Sequence, residues 1–358
     1  MQLVILKVIT MKLKKFWLKA LLVLIVTIVC LSAVSFSNNS NSHRVAMQSM
    51  IDRVTSGIKP LSQVTNTNYP AQANDYFGFY GLDFNNAQHI FGSFESQGQN
   101  LVGQLFKVKN AKGTVIALHG YFNHTGQLNL LIKYLLDKGF SVACFDLPGH
   151  GISSGERVAI DDFSQYSKSL ASFMAEIKGI LPGPYHFIGH STGAVVMLDS
   201  LLGNEKVDFD KVILVSPLVH SVQWELSRIG SSEKVSFVNS IPRVFRRNSS
   251  DKAFLDFQKN KDPLQSKTLT LKWIRALYSW NEKIAELPAS PKSLLVIQGD
   301  KDTTVDWQYN VDFIEDKFPN SEIKIIENAR HELLNESPKF RNEVFAEIYS
   351  YLICSDDG

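Results

Sequence analysis

The chain has 358 residues, a formal net charge of +2 and a hydrophobic fraction of 44%. This length and composition suffice for one large domain with insertions or for two modest domains, and the nearly balanced charge gives no basis for nucleic-acid binding. The three cysteines, Cys30, Cys144 and Cys354, are too few and too scattered for a disulfide framework or a metal site.

The N-terminus combines positive charge with an apolar run. Residues 1–19 contain five lysines and no acidic residue, and the seventeen residues 20–36 carry no charge. This pattern predicts either a cleaved signal peptide or a retained membrane anchor. A cleavage pattern is present at Ala33-Val34-Ser35, and the run is short for a membrane-spanning helix, so both outcomes stay open. Either one predicts that the remaining chain is extracytoplasmic, as a membrane-anchored, secreted or periplasmic protein.

Residues 37–87 are predicted to form a linker and an N-terminal extension. Residues 37–42 are all serine or asparagine, which is typical of a polar linker. Apolar spacing favours a helix within 43–60, whereas 61–86, rich in Asn, Gln, Tyr and Pro, predicts an extended lead-in.

From residue 88 onward, strand patterns alternate with helix patterns. Strands are predicted at 89–94, 101–108, 114–118, 141–147, 185–188, 211–216, 294–298 and 322–326. Helices are predicted at 126–138, 163–181, 194–203, 305–318 and 338–353. Two neighbouring strands followed by this alternation predict an α/β fold with a mostly parallel, doubly wound sheet and an antiparallel start. The predicted core occupies residues 88–216 and 291–358.

An excursion at 217–290 interrupts the alternation. Its length predicts a helical cap inserted over the sheet rather than a plain loop, with an amphipathic helix at Thr268–Leu287. Its many aromatic residues are expected to form mainly the small core of the cap. The basic cluster Arg243, Arg246 and Arg247 is compatible with a membrane surface or with an ordinary solvated face.

The sequence Gly189-His190-Ser191-Thr192-Gly193 lies between the predicted strand and helix on either side of it. A G-x-S-x-G segment in this context predicts a nucleophile elbow, a tight turn that lifts the serine hydroxyl above the sheet edge. Glycines suit the two flanking positions because the turn leaves no space for a Cβ. Ser191 is therefore the candidate nucleophile.

Candidates for the base and the acid follow the last two predicted strands. His331 lies on the loop before the final helix, and three acids, Asp300, Asp302 and Asp306, follow the strand at 294–298. The order serine, aspartate, histidine is the one expected of a triad built on this elbow. In such a triad the histidine takes the serine proton, and the aspartate fixes the tautomer of the histidine.

A third segment, Ile116 to His124, follows the strand expected beside the elbow. We expect the backbone N–H groups of Tyr121 and Thr192 to form the oxyanion hole. The Gly-rich turn at 145–155 is expected to be structural. The histidines of these turns lack paired ligand spacing, so we expect no metal.

The segments HGYFNHTGQ, DLPGHGISSG, GHSTG, GDKD and ARHE, in this order and spacing, resemble the α/β-hydrolase superfamily over residues 88–353. The resemblance is closest to monoglyceride lipases and lysophospholipases. It implies the α/β-hydrolase fold, no cofactor, and Asp302 as the acid, because the acid of the family ends a G-x-x-D segment. Phe122 stands where the H-G-x-G-x-H segment of the family has its second glycine, and the bulk of Tyr121 is expected to narrow the acyl pocket.

The expected activity is hydrolysis of carboxylic esters through an acyl-enzyme, with monoacylglycerol or lysophospholipid at a membrane surface as the leading substrates. Two alternatives stay open. One is a carboxylesterase or thioesterase acting on soluble short-chain esters, and the other is a non-catalytic hydrolase-fold binding protein. Asn123-His124-Thr125 is also a glycosylation sequon within the expected oxyanion loop, where a glycan would obstruct the site.

Overall fold

The computed structural model describes residues 42, 45–64, 69, 71–203, 207–224 and 239–354. The predicted signal peptide or anchor, the polar linker up to residue 41, Cys30 and residues 225–238 of the predicted cap lie outside this part of the chain. Within it, no helix has the length and apolar character needed to cross a membrane. One compact unit begins at Met50 and contains all the elements described below.

An eight-stranded sheet organises this unit. Its strands are β1 (Gln88–Ser96), β2 (Gln99–Lys107), β3 (Thr114–Leu118), β4 (Ser141–Phe145), β5 (Tyr185–His190), β6 (Val212–Val215), β9 (Leu295–Gly299) and β10 (Glu322–Ile326), and a separate antiparallel pair consists of β7 (Ser240–Pro242) and β8 (Thr268–Thr270). The spatial order is β1-β2-β4-β3-β5-β6-β9-β10. The first two pairings are antiparallel and all others are parallel, which confirms the predicted sheet.

Helices cover the sheet. They are α1 (Ala71–Tyr80), α2 (Asn129–Asp137), α3 (Ser164–Ile177), α4 (Thr192–Leu202), α5 (Lys252–Asp256), α6 (Leu271–Glu286), α7 (Trp307–Lys317) and α8 (Pro338–Ile353). Helix α3 packs against α4 and β1, whereas α2 packs against β4 and α8. The inner strands β3, β4, β6 and β9 are buried along their whole length, which explains why they appear in the sequence as continuous apolar runs.

The extended lead-in expected at residues 61–86 is wrong, because α1 occupies the middle of it. Tyr76, Phe77 and Tyr80 lie on one helical face and are buried. Tyr69, just before the helix, donates a hydrogen bond from its hydroxyl to His89 O (2.7 Å) and accepts one from Phe91 N (2.9 Å). The aromatic residues that suggested an irregular segment thus attach a helix to strand β1.

The insertion at 217–290 is only partly the helical cap that its sequence predicts. The amphipathic helix exists, but it begins at Leu271 rather than Thr268, because Thr268–Thr270 pairs with Ser240–Pro242 as a ribbon. Trp273 and Trp280 point from α6 into the core, where Trp273 donates a hydrogen bond to the Tyr166 hydroxyl (3.2 Å) and Trp280 donates one to Asp199 (3.0 Å). These two indoles fasten α6 to helices α3 and α4.

Candidate active site

Ser191 lies in a sharp turn between β5 and α4. Its backbone has φ +53°, an unusual value for a residue with a side chain. A Cβ at Gly189 would come within 2.5 Å of the Gly193 carbonyl group, and a Cβ at Gly193 within 2.4 Å of Leu118 O. Since neither contact is sterically possible, glycine is required on both sides of Ser191. The turn therefore has the compact geometry expected of an elbow at the carboxyl ends of the strands.

Three of the predicted site residues form one hydrogen-bonded series. His331 Nε2 lies 3.1 Å from Ser191 Oγ, and His331 Nδ1 lies 2.7 Å from Asp302 Oδ2. All three side chains are buried, with 5%, 3% and 6% of Ser191, His331 and Asp302 exposed. Residues separated by 140 and 29 positions in sequence thus meet at one edge of the sheet.

Asp302 is held as a carboxylate. Burial alone would raise its pKa, but the charge and hydrogen bond of His331 and the N–H groups of Thr304 (2.8 Å) and Val305 (3.1 Å) lower that pKa below its ordinary value. Gln298 donates a further hydrogen bond to Oδ2 (3.2 Å). The orientation of the carboxylate toward His331 is therefore fixed by its own loop and by strand β9.

His331 has the opposite shift. Burial alone would lower its pKa, but the charge and hydrogen bond of Asp302, with a smaller effect of Glu332, raise the pKa above its ordinary value. The pocket thus favours the imidazolium form more than water does. A histidine in this setting is a stronger base than a free imidazole and is placed to accept a proton from Ser191.

The other two acids after β9 have different partners. Asp300 accepts a hydrogen bond from the Asn328 N–H (2.6 Å) and pairs with Lys301 (3.3 Å). Asp306 precedes α7, and its backbone carbonyl accepts a hydrogen bond from Asn310 N (3.0 Å). Of the three candidates, Asp302 is the one that His331 contacts.

The loop after β3 runs beside the elbow. A Cβ at Gly120 would lie 3.0 Å from both the Ser191 Cβ and His190 Nδ1, so the backbone here packs directly against the serine. His119 donates from Nδ1 to Gly120 O (2.8 Å) and accepts at Nε2 from Leu147 N (3.0 Å). Burial lowers the pKa of His119 to about 4, which keeps the ring neutral in this role. The histidine thereby fixes the peptide group that contains the Tyr121 N–H.

Phe122 has a backbone conformation that ordinarily favours glycine. Its φ is +69°, in the left-handed region that a bulky side chain rarely adopts. The Gln265 side chain donates a hydrogen bond to Phe122 O (2.9 Å), and the Arg243 guanidinium lies 4.0 Å from the centre of the ring. These contacts hold the strained residue in place. Tyr121 beside it stacks on Trp273 with ring centres 3.8 Å apart.

Two residues of the site were missed at the level of sequence. His190 directly precedes the nucleophile. It donates a hydrogen bond from Nε2 to the backbone carbonyl of His331 (3.0 Å) and so positions the loop that contains His331. Glu332, buried next to His331, accepts hydrogen bonds from the amides of Asn123 (3.2 Å) and Asn248 (3.3 Å). Pattern alone cannot show either contact, because each joins segments that are distant in sequence.

His124 and His150, for which the sequence predicts no catalytic role, make structural contacts, and the sequon is buried. His124 contacts the buried carboxylate of Asp262 (2.9 Å), and His150 lies next to the carbonyl of Pro148 (2.9 Å). In the described part of the chain no group of His, Cys, Asp and Glu side chains has the arrangement of a metal site. The Asn123 side chain is buried and hydrogen-bonded, so a glycan on this residue is incompatible with the fold.

A cavity of about 470 Å³ opens above Ser191 and His331. Much of its wall is aromatic or aliphatic, and its lining includes Tyr121, Leu218, Trp273, Leu277, Arg243 and Arg246. The cavity lies between the carboxyl edge of the sheet and the residues of the cap. The serine hydroxyl is therefore at the surface of a cavity with a partly apolar wall.

Comparison with known proteins agrees with this architecture. Residues 109–338 match the family described as "Serine aminopeptidase, S33". The monoglyceride lipase of Homo sapiens is 26% identical over 265 residues, which cover 71% of this chain and 86% of that protein. A "Probable lysophospholipase L2" of Haemophilus influenzae is 23% identical over 246 residues, covering 60% of this chain and 75% of the relative.

Solved structures show the same fold. A soluble variant of monoglyceride lipase from Saccharomyces cerevisiae, in complex with a substrate analog, superimposes with a TM-score of 0.63 at 22% sequence identity. The superposition covers 74% of this chain and 95% of that structure. The family match extends from just before β3 to the start of α8, more than half of the chain. The protein is therefore a serine ester hydrolase of the lipase and lysophospholipase type. The chain belongs to the serine aminopeptidase S33 family of α/β-hydrolases, in its monoglyceride lipase and lysophospholipase branch.

Proposed function

We propose that this protein hydrolyses lipid esters, monoacylglycerol or lysophospholipid, with Ser191 as nucleophile, His331 as general base and Asp302 as the acid that orients the base. The observation that carries the proposal is the series of hydrogen bonds from Ser191 through His331 to Asp302 beneath a cavity whose wall is largely apolar. The same series argues against a binding protein that has lost its catalytic residues.

Acylation begins when Ser191 Oγ attacks the ester carbonyl carbon and His331 Nε2 accepts the hydroxyl proton. The carbonyl oxygen becomes an oxyanion, and we assign its donors to the N–H groups of Tyr121 and Thr192. The close approach of Gly120 to Ser191 supports the first assignment, and the start of α4 directly after the serine supports the second. The imidazolium of His331 then donates its proton to the leaving alcohol as the carbon–oxygen bond breaks.

Deacylation repeats these steps with water. His331 takes a proton from a water molecule as the water oxygen attacks the acyl-enzyme carbonyl carbon. The bond from this carbon to Ser191 Oγ then breaks, and His331 returns the proton to Oγ. Asp302 keeps the Nδ1–H tautomer and stabilises the imidazolium in both halves. The products are the free fatty acid and the alcohol.

The apolar wall of the cavity supports a lipid rather than a small soluble ester. Trp273 and Leu277 of α6 and Leu218 face the space above the serine, and burial of an acyl chain against them is favourable in proportion to the apolar area removed from water. A lipid substrate also agrees with the N-terminal segment, which we propose places the enzyme outside the cytoplasm, at or near a membrane surface.

The test is a series of p-nitrophenyl esters from acetyl to palmitoyl, followed by oleoylglycerol and oleoyl lysophospholipid, on the wild-type chain and on Ser191→Ala. We expect higher kcat/KM for long acyl chains than for acetyl, and loss of at least about a thousandfold in the variant. Equal thermal unfolding temperatures of the two proteins would show that the variant is folded. Activity confined to acetyl and butyryl esters would favour the soluble-ester alternative, and equal turnover by Ser191→Ala would refute the nucleophile.

A further inference from the structure

Arg243 brings a positive charge into the cavity above Ser191. It directly follows strand β7, and its backbone N–H donates to Lys267 O (2.9 Å), which continues the ribbon by one residue. Its side chain and that of Arg246 both line the same cavity as Ser191 and His331. The ribbon of the cap thus fixes where the guanidinium of Arg243 lies relative to the serine.

Aromatic rings hold the Arg243 guanidinium in place. Its carbon Cζ lies 4.0 Å from the centre of the Phe122 ring and 4.3 Å from that of Phe245. Nη1 donates to Gln265 Oε1 and to Ser266 O (3.4 Å). Both acceptors are uncharged. Among the described residues, none accepts a hydrogen bond from Nε or Nη2, so most of the donors of this planar group remain available.

Arg243 makes no direct ion pair in the described part of the chain, although the charges of Glu332 and Asp262 act on it from a longer distance. No carboxylate there comes within 4.0 Å of Arg243 or Arg246. Glu332 lies in the same cavity, but it is bound to the amides of Asn123 and Asn248. Burial lowers the pKa of Arg243 to about 10, which still leaves the side chain charged at neutral pH. A partly desolvated cation without a direct ion pair gains free energy when an anion binds to it.

We propose that Arg243, with Arg246 beside it, binds the phosphate of the substrate head group, so that the preferred ester is a lysophospholipid rather than a neutral monoacylglycerol. The inference rests on the proposed function, because it concerns the alcohol half of the ester that Ser191 cleaves. A guanidinium matches a phosphate through paired, charge-assisted hydrogen bonds. A monoacylglycerol offers hydroxyl groups only and would leave the cation without an anion.

The fatty-acid carboxylate is a poorer candidate for this anion. It forms at the carbon attacked by Ser191, so its oxygens lie at the oxyanion donors of Tyr121 and Thr192 when the product is released. Arg246 donates to Thr303 O (2.6 Å) and is exposed, which places it at the outer side of the cavity, where a head group rather than the cleaved carbonyl is expected.

The experiment compares oleoyl lysophosphatidylglycerol with oleoylglycerol, which share one acyl chain and differ in the phosphate-bearing head group. The full-length wild-type chain is assayed on both in the same mixed detergent micelles. We expect kcat/KM to be at least about tenfold higher for the lysophospholipid. In Arg243→Gln the ratio of the two kcat/KM values should fall by about 10- to 100-fold, the range for loss of a hydrogen bond to a charged group.

Arg247→Gln is the matched control, because it removes the same charge from the same segment at a residue that does not line the cavity. In Arg247→Gln the ratio of kcat/KM for the lysophospholipid to kcat/KM for oleoylglycerol should equal that of the wild type. Arg243→Lys keeps the positive charge but lacks the planar set of donors. Its preference for the lysophospholipid should therefore lie between that of the wild type and that of Arg243→Gln. Turnover of p-nitrophenyl butyrate and the Tm of each variant identify a protein that is merely misfolded.

Three outcomes would overturn the inference while the proposed function stands. The first is a wild-type kcat/KM that is higher for oleoylglycerol than for the lysophospholipid. The second is a loss of kcat/KM in Arg243→Gln that is the same for both lipids. The third is a fall in the ratio for Arg247→Gln as large as the fall for Arg243→Gln. Inhibition of both hydrolyses to the same extent by inorganic phosphate, without a substrate preference, would assign the site to free phosphate instead. No hydrolysis of either lipid or of p-nitrophenyl butyrate by a folded wild-type chain would refute the proposed function itself.

Discussion

At the scale of single residues, Asp302 and Asp300 provide a direct contrast, because they lie two positions apart on one loop. Asp302 contacts His331, whereas Asp300 accepts a hydrogen bond from the Asn328 backbone and pairs with Lys301. Asp302→Asn should therefore lower kcat by about 10³- to 10⁴-fold, as expected when the histidine loses the partner that fixes its tautomer. Asp300→Asn should lower kcat less than about fivefold.

Both aspartate variants are assayed on one p-nitrophenyl ester, and circular dichroism confirms that each is folded. Since both substitutions remove one negative charge from the same loop, a general charge effect would act on the two alike. The reverse ranking, with Asp300→Asn the weaker enzyme, would show that Asp300 orients the base.

The raised pKa of His331 predicts the acid limb of the pH profile. The free enzyme must hold this histidine neutral for it to accept the serine proton, so kcat/KM should fall as the pH decreases through its pKa. Because Asp302 raises that pKa, the inflection should lie at a higher pH than for an exposed histidine. The residual activity of Asp302→Asn should show the inflection at lower pH. A wild-type inflection below the ordinary histidine value would contradict the account.

His331 and Asp302 also affect the pH dependence of the free energy of unfolding, and the two residues do so in opposite directions. His331 has a raised pKa in the folded state, so its contribution is complete below the unfolded-state pKa and is lost as the pH rises through the folded-state pKa. Asp302 has a lowered pKa, so its contribution is present above the unfolded-state pKa and is lost as the pH falls through the folded-state pKa. Activity and the stabilisation by His331 thus change in opposite directions with pH.

At the scale of secondary-structure elements, the buried carboxylate of Asp262 joins three segments. It accepts hydrogen bonds from the Tyr80 hydroxyl of α1 (2.7 Å) and from the Gln127 amide (2.7 Å), and it contacts His124 (2.9 Å). Burial alone would raise its pKa, but His124 and these hydrogen bonds lower the pKa to about 2. Asp262, a residue of the cap, therefore joins the cap to helix α1 and to the loop that contains Tyr121.

Asp262→Ala should lower the free energy of unfolding by about 3–5 kcal/mol, since it leaves buried donors without an acceptor. Tyr80→Phe removes one of these hydrogen bonds and should cost about 1–2 kcal/mol. The control is Asp256→Ala, whose exposed ion pair with Lys261 lies in the same segment, and its denaturation midpoint should match the wild type. Urea unfolding of the three variants provides the comparison. An Asp262→Ala variant as stable as Asp256→Ala would refute this role.

The elements predicted from sequence were those with a strong local pattern. Strands Thr114–Leu118 and Glu322–Ile326 and helix Pro338–Ile353 have the predicted bounds. Continuous burial defines the first strand locally and a proline start defines the helix, whereas Glu322–Ile326 is fully buried only at its last residue and was located by its β-branched isoleucines. Helix α1 and the ribbon β7–β8 were missed, since their residues become ordered through contacts with distant segments. In the site, Ser191 and His331 could be located from flanking glycines and chain order, but the contacts of His190 and Glu332 depend on packing alone.

At the scale of the whole molecule, the N-terminal segment is the basis of our proposal for where the hydrolase acts. Its basic start and apolar run lead us to propose export of the unit that begins at Met50. A C-terminal fusion to alkaline phosphatase, which is active only outside the cytoplasm, should be active in a bacterial host. The matched control lacks residues 1–36 and should be inactive. Equal phosphatase activity in the two fusions, or none in the full-length fusion at normal expression, would argue against export.

In the proposed mechanism Ser191 forms the covalent intermediate of ester hydrolysis. The most direct measurement is intact-mass and peptide mass spectrometry after reaction with a long-chain alkyl fluorophosphonate, whose phosphorus is attacked by the activated serine with loss of fluoride. We expect one adduct per chain, located on the peptide that contains Ser191, with parallel loss of esterase activity and no adduct in Ser191→Ala. An adduct on a different residue, or ester hydrolysis that persists after complete labelling of Ser191, would contradict this mechanism.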